Sequence, residues 1–191
     1  TSMGIDGITM PLTGEAAVNP QIPLVNMPFT MCHEMAHRMC IASERDANLA
    51  AFLACQANDS PIYQYSGYFM AFRYCYQALA DYGTATAKAA AAEIYEGINA
   101  QVLADLEVYN AHYAANIDAD ASNLANSVND TYIKVSGDEN GTASYSKVCD
   151  LLVSWYIQEI YLPDHLPEQE EVFDPLDKSE VDLSDDSLGG K

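Results

Sequence analysis

The sequence predicts a mainly α-helical fold of about six or seven helices, with at most a short strand or hairpin near the N-terminus. Three observations carry this. Alanine is abundant while β-branched runs are rare, which favours helix over sheet. Apolar residues recur at helical spacing through most of the chain. Helix punctuation is clear at Ser43, Ser60-Pro61, Gly83 and Ser144. With 191 residues, 49% of them hydrophobic, the chain can bury the core of one domain.

Residues 1–27 are rich in Gly, Pro, Thr and Asn and read as an irregular segment of the domain. Within it, Gly7 to Thr13 alternates weakly and is a candidate short strand, which Pro11 confines to an edge. A helical domain spans 28–163. Its first helix covers 28–41. Ser43 is an N-cap with Asp46 three residues on, so a second helix runs over 44–57, apolar nearly all round and therefore buried. Asn58-Asp59-Ser60-Pro61 is a break and restart, and 61–82 carries a dense stripe of Tyr and Phe. Residues 84–96 and 98–115 follow, with Gly97 as a possible kink. Another helix covers 120–136, a turn covers 136–141, and Ser144 caps a last helix through about Tyr161. Residues 164–191 are acidic and almost without aromatics, and read as a disordered tail.

The chemistry concentrates in the first helix, at His33-Glu34-Met35-Ala36-His37. Residues i and i+4 share a helix face, so both imidazoles can address one metal ion. Glu34 lies about 100° further round. It sits beside such an ion, outside its coordination shell, where it can hold a water. Neutral imidazole suits Zn²⁺, and three protein ligands leave a fourth position for water. Glu44, in the first turn of the second helix, is the candidate third ligand, and Asp46 is an alternative. Cys40 competes, because a continuous helix would put its thiol on the His face; as a small buried hydrophobe it would play no such part. Asn48 shares a face with Glu44, so its amide could hydrogen-bond a ligand from outside the shell. Tyr65, Tyr68 and Tyr145 are candidate donors to a developing oxyanion, although such a stripe more often builds core. His112 and His165 read as bystanders.

A net charge of −20 argues against nucleic-acid or anionic-lipid partners. Five cysteines without paired spacing imply no disulfide framework. No apolar run reaches the roughly 18 residues of a membrane span, and there is no signal peptide. The opening Thr1-Ser2-Met3 reads as a cloning remnant or a trimmed fragment.

His33-Glu34-x-x-His37 followed by Glu44-x-x-Ala47-Asn48 resembles the gluzincins, zinc peptidases with two His and one Glu as ligands. Pro28-Phe29-Thr30, Tyr65-Ser66-Gly67-Tyr68 and the stretch Ser144 to Leu152 further resemble one bacterial zincin-like, membrane-anchored family of unknown function. The resemblance covers roughly residues 5–162. It implies a zincin-like helical domain with His33, His37 and Glu44 on zinc and Glu34 as general base. It also implies that the Gly7 to Thr13 segment pairs with extended peptide, and that transmembrane helices precede this domain. Cys40 departs from it, standing where a turn glycine is expected. The function so implied is that of a zinc metallopeptidase acting on peptides or on membrane proteins near the bilayer. The alternatives are a non-catalytic metal-binding sensor or interaction module on the same scaffold, and an amidase of cell-wall peptides.

Overall fold

The computed structural model describes residues 5–10, 12–116 and 147–165. The chain divides into two compact units, Thr1–Ser154 and Trp155–Lys191. The fold is mainly helical, with a short antiparallel hairpin near the N-terminus. The first unit contains β1 (Gly7–Met10), β2 (Glu15–Val18), α1 (Met27–Arg38), α2 (Glu44–Gln56), α3 (Pro61–Asp81), α4 (Ala85–Glu96), α5 (Ala100–Asn116) and the start of α6 (Val148–Tyr156). Of the second unit, the described part is the end of α6, a π-helical turn at Ile157–Tyr161 and a last turn at Leu162–His165.

The predicted strand is one arm of the hairpin. Its register pairs Gly7 with Val18 and Thr9 with Ala16, and these four residues form its less exposed face. Alternation then turns Ile8 and Met10 outward, at 50% and 46% exposure. The inward face is small because both strands lie directly on α1. The turn closes with Gly14, at φ 67°, donating its N–H to the Met10 carbonyl at 2.8 Å.

The core is a layered contact of α1, α2 and α3. Phe29 and Ala36, then Ala47, Ala51, Phe52 and Cys55, then Phe69 and Met70 are all buried. Alanine on α2 lets its neighbours approach closely. At Gly67 the approach is tighter still, since a Cβ there would lie 2.7 Å from that of Cys55. The N-terminus of α1 leaves free N–H groups, and the one on Phe29 donates to buried Ser66 Oγ of α3 at 3.1 Å. Local caps fix the other starts. Ser43 Oγ accepts from Asp46 N–H, Thr84 Oγ1 accepts from Ala87 N–H, and Pro61 occupies the first turn of α3. On the far side, α5 docks on α3 through Phe69 against Tyr109, with the Arg73 guanidinium 3.7 Å above the Tyr109 ring.

Two boundaries differ from the sequence expectation. Helix α1 ends at Arg38 rather than near 41. At the other end, Asp164 and His165 are still helical. Pro163 lies near the end of this continuous helical run, directly after the π-helical turn. The expected helix over 120–136, the turn over 136–141, the Ser144 cap, Tyr145 and tail residues 166–191 lie outside the described residues. Among the described residues, no helix is long and apolar enough to cross a membrane.

Candidate metal centre

The end of α1 builds the site. Cys40 adopts φ 68°, the left-handed region that glycine normally supplies. Its N–H donates to the His37 carbonyl at 2.9 Å, and Ile41 N–H donates to the Ala36 carbonyl at 3.2 Å. These are the paired bonds of a Schellman turn. The turn stops the helix three residues before the expected end and exposes Cys40. It also brings the Ile41 carbonyl to 2.8 Å from His37 Nδ1. A carbonyl only accepts, so Nδ1 carries the ring proton and Nε2 turns its lone pair the other way.

That other way lies the rest of the cluster. His37 Nε2 is 3.0 Å from His33 Nε2, and the rings meet edge-on. Glu44 Oε2 is 3.2 Å from His33 Nε2, and Oε1 is 3.5 Å from His37 Nε2. Taking one atom from each residue, the three donors lie within 4.8 Å of one another. Tetrahedral zinc with bonds of about 2.1 Å sets its ligands about 3.4 Å apart, close to these separations. Two further observations fit a cation. Neutral imidazoles nose to nose at Nε2 repel unless a proton or metal lies between them. Glu44 Oε2 is buried, and the group it faces is the His33 imidazole. Without a metal, protons do this work. Burial alone would lift the Glu44 carboxyl, but hydrogen bonds from His33 and His37 outweigh it and hold its pKa down to about 2. Burial works against a charged His37, yet the Glu44 carboxylate and the Ile41 carbonyl raise its pKa overall.

Glu34 stands apart from this triad. It is buried, and its Oε2 accepts from Thr9 Oγ1 of β1 at 2.7 Å. The same hydroxyl lies 2.9 Å from the Glu34 backbone carbonyl, but the carboxylate is the stronger acceptor for its one proton. Gly7 also lies against this carboxylate, since a Cβ there would come within 2.5 Å of Glu34 Oε1. Strand β1 therefore meets the glutamate at two points, Thr9 and Gly7. Glu34 also lines a hollow of about 300 Å³ with Ala16, Val18, Pro20, Met27, Met31 and Met35. The three methionines are successive turns of one face of α1.

The remaining candidates fall elsewhere. Asn48 is buried behind Glu44; its Oδ1 accepts from Tyr74 OH at 3.1 Å and its Nδ2 has no partner among the described residues. Asp46 gives its backbone N–H to the Ser43 cap and its carboxylate pairs with Arg45, outside the cluster. Tyr65 donates to Asp105 at 2.6 Å, and desolvation together with that carboxylate pushes its pKa up to about 12. Tyr68 packs on Phe52, and both tyrosines line a second hollow with Phe72, Ile98 and Val102, separate from the one beside Glu34. Thr9, Gly7, the Ile41 carbonyl and Tyr74 were not singled out by the sequence. Gly7 alone left a trace there, as an isolated glycine in a strand pattern, which marks close backbone approach.

A family model described as "Protein of unknown function (DUF3810)" matches residues 1–153. The chain belongs to that family. The matched span takes in the hairpin, the whole His33–His37–Glu44 cluster and the first residues of α6. No curated protein and no solved structure matches the chain.

Proposed function

We propose that this member of the family is a zinc-dependent metallopeptidase. His33, His37 and Glu44 hold the ion, and Glu34 serves as general base. The observation that carries the reading is the division of labour between two glutamates on neighbouring helices. Glu44 points both oxygens at the imidazole nitrogens, while Glu34 stays out of that triangle and opens on a hollow. A purely structural metal site has no use for the second carboxylate.

Zinc at such a site lowers the pKa of a water to about 7 and polarises a carbonyl. The chain supplies the rest. Glu34 accepts the proton of the attacking water and returns it to the leaving amine. Thr9 keeps the Glu34 carboxylate in one orientation, and the Ile41 carbonyl keeps His37 in the tautomer that offers Nε2. The apolar hollow beside Glu34 suits a side chain of a peptide or protein substrate. By the family resemblance, the domain works next to a membrane to which a preceding segment tethers it.

One observation favours a second reading, the non-catalytic sensor or interaction module. Glu34 is only 5% exposed and already engaged by Thr9. One experiment separates the two readings. Metal content is measured by elemental mass spectrometry on the intact chain and on Glu44→Ala, and a peptide library is then digested with the intact chain and Glu34→Gln. One zinc per chain, lost in Glu44→Ala, with hydrolysis abolished in Glu34→Gln, supports the peptidase. Zinc without hydrolysis leaves the module. No metal at all removes both.

A further inference from the structure

The sequence spacing of the five cysteines suggests no pairing, but the fold pairs four of them across helices. Cys32 of α1 and Cys55 of α2 bring their sulfurs to 3.8 Å, with the Cys55 thiol directed at Cys32. Cys75 of α3 and Cys149 of α6 also meet through their side chains. Only Cys40 is exposed.

The first pair has the layout of a reactive and a resolving thiol. Cys32 is partly exposed, so a small oxidant reaches it. Cys55 is fully buried and held from behind by Gly67, which leaves no room for it to back away. Closing the pair shortens the sulfur separation from 3.8 Å to about 2.05 Å, that of a disulfide. Cys32 immediately precedes His33, and α2 begins with Glu44, so a bond here ties together the two helices that carry the metal cluster. We propose that Cys32 and Cys55 are a redox-responsive dithiol that closes to a disulfide under peroxide and clamps α1 to α2. The proposal is independent of the peptidase reading.

The chemistry balances. The Cys32 sulfur attacks the peroxide O–O bond, giving a sulfenic acid and releasing one water. The Cys55 sulfur then attacks the sulfenic sulfur, the S–S bond forms and a second water leaves. Two thiols lose two electrons and one peroxide gains them.

The test uses the full chain, metal-free, treated with hydrogen peroxide, alkylated and digested with trypsin. Cleavage after Arg38, Arg45 and Arg73 places Cys32 and Cys55 as the sole cysteines of peptides 1–38 and 46–73, so their cross-link is unambiguous. The expected result is a linked 1–38/46–73 species, lighter by two hydrogens and released by dithiothreitol, in a protein whose thermal midpoint has risen by several degrees. In Cys55→Ala the oxidation should stop at a Cys32 sulfenic acid that a 1,3-diketone traps. The proposal is overturned if both peptides remain alkylated and unlinked at peroxide levels that fully oxidise exposed Cys40. Cys32 appearing in any other disulfide also overturns it. A lowered midpoint in the linked protein overturns the clamp, since closure would then strain α1 against α2. The wild-type digest decides even if the variant does not fold.

Discussion

Replacing Cys40 by glycine should stabilise the protein and leave its metal affinity unchanged. Cys40 sits at φ 68° with an exposed side chain, so the substitution relieves backbone strain and gives up no buried contact. The left-handed conformation costs a residue with a Cβ about 1–2 kcal/mol. Against this, glycine adds conformational freedom to the unfolded chain, worth roughly 0.4–1 kcal/mol. The balance is a gain of about 0.5–1 kcal/mol, or a thermal midpoint higher by roughly 1–4 °C for a chain of this size. Urea unfolding of the intact chain, Cys40→Gly and Cys40→Ala is the assay, read as midpoints at constant slope. Cys40→Ala keeps the strained φ and should stay within about 0.5 kcal/mol of the parent. Destabilisation of Cys40→Gly would refute the Schellman turn at this position. A fall in zinc affinity would show Cys40 to be a ligand and replace the geometry derived above.

Other perturbations test the surroundings of the cluster. Gly7→Ala puts a Cβ within 2.5 Å of Glu34 Oε1 and should cost about 1–3 kcal/mol in urea unfolding, with peptide hydrolysis lost along with it; a neutral result would show that β1 does not press on Glu34. In chelator, stability should depend on pH with opposite signs from two groups. The Glu44 contribution is complete above the unfolded value of 4.5 and is lost as pH falls toward 2. The His37 contribution is complete below the unfolded value of 6.5 and is lost as pH rises through its raised folded value. Urea midpoints of the metal-free chain should therefore peak between pH 4.5 and 6.5, and zinc should move the optimum upward because it needs His37 deprotonated; an apo midpoint that climbs from pH 6 to 8 would contradict the pairing. Tyr65→Phe should leave hydrolysis within about twofold, since the Tyr65 hydroxyl is committed to Asp105; a loss of kcat by orders of magnitude would restore it as an oxyanion donor.

Local signals carried most of what the sequence revealed. Ser43, Ser60-Pro61, Gly83 and Gly97 fixed the ends of α2, α3 and α4 to within a residue or two, because caps act on their own backbone. His33 and His37 were legible as one face from helical spacing alone, and Glu44 from the cap that starts its helix. What stayed hidden depends on partners far away in the chain. Thr9 and Gly7 meet Glu34 from more than twenty residues upstream, and Tyr74 reaches Asn48 from the next helix. The early stop of α1 was missed because it rests on a cysteine, not a glycine, in the left-handed region. The Cys32–Cys55 approach follows from how α1 crosses α2, which spacing does not encode.

The short turn between α1 and α2 has a consequence for the order in which the site is assembled. All three candidate ligands lie between residues 33 and 44, so their meeting closes only a short loop. Loop closure of that length is entropically cheap and fast. The support of Glu34 comes instead from the hairpin, through Thr9, 25 residues away in the chain. On the proposed function, the ligand set would thus come together within one helical pair, while the placement of Glu34 would depend on a separate contact with the hairpin.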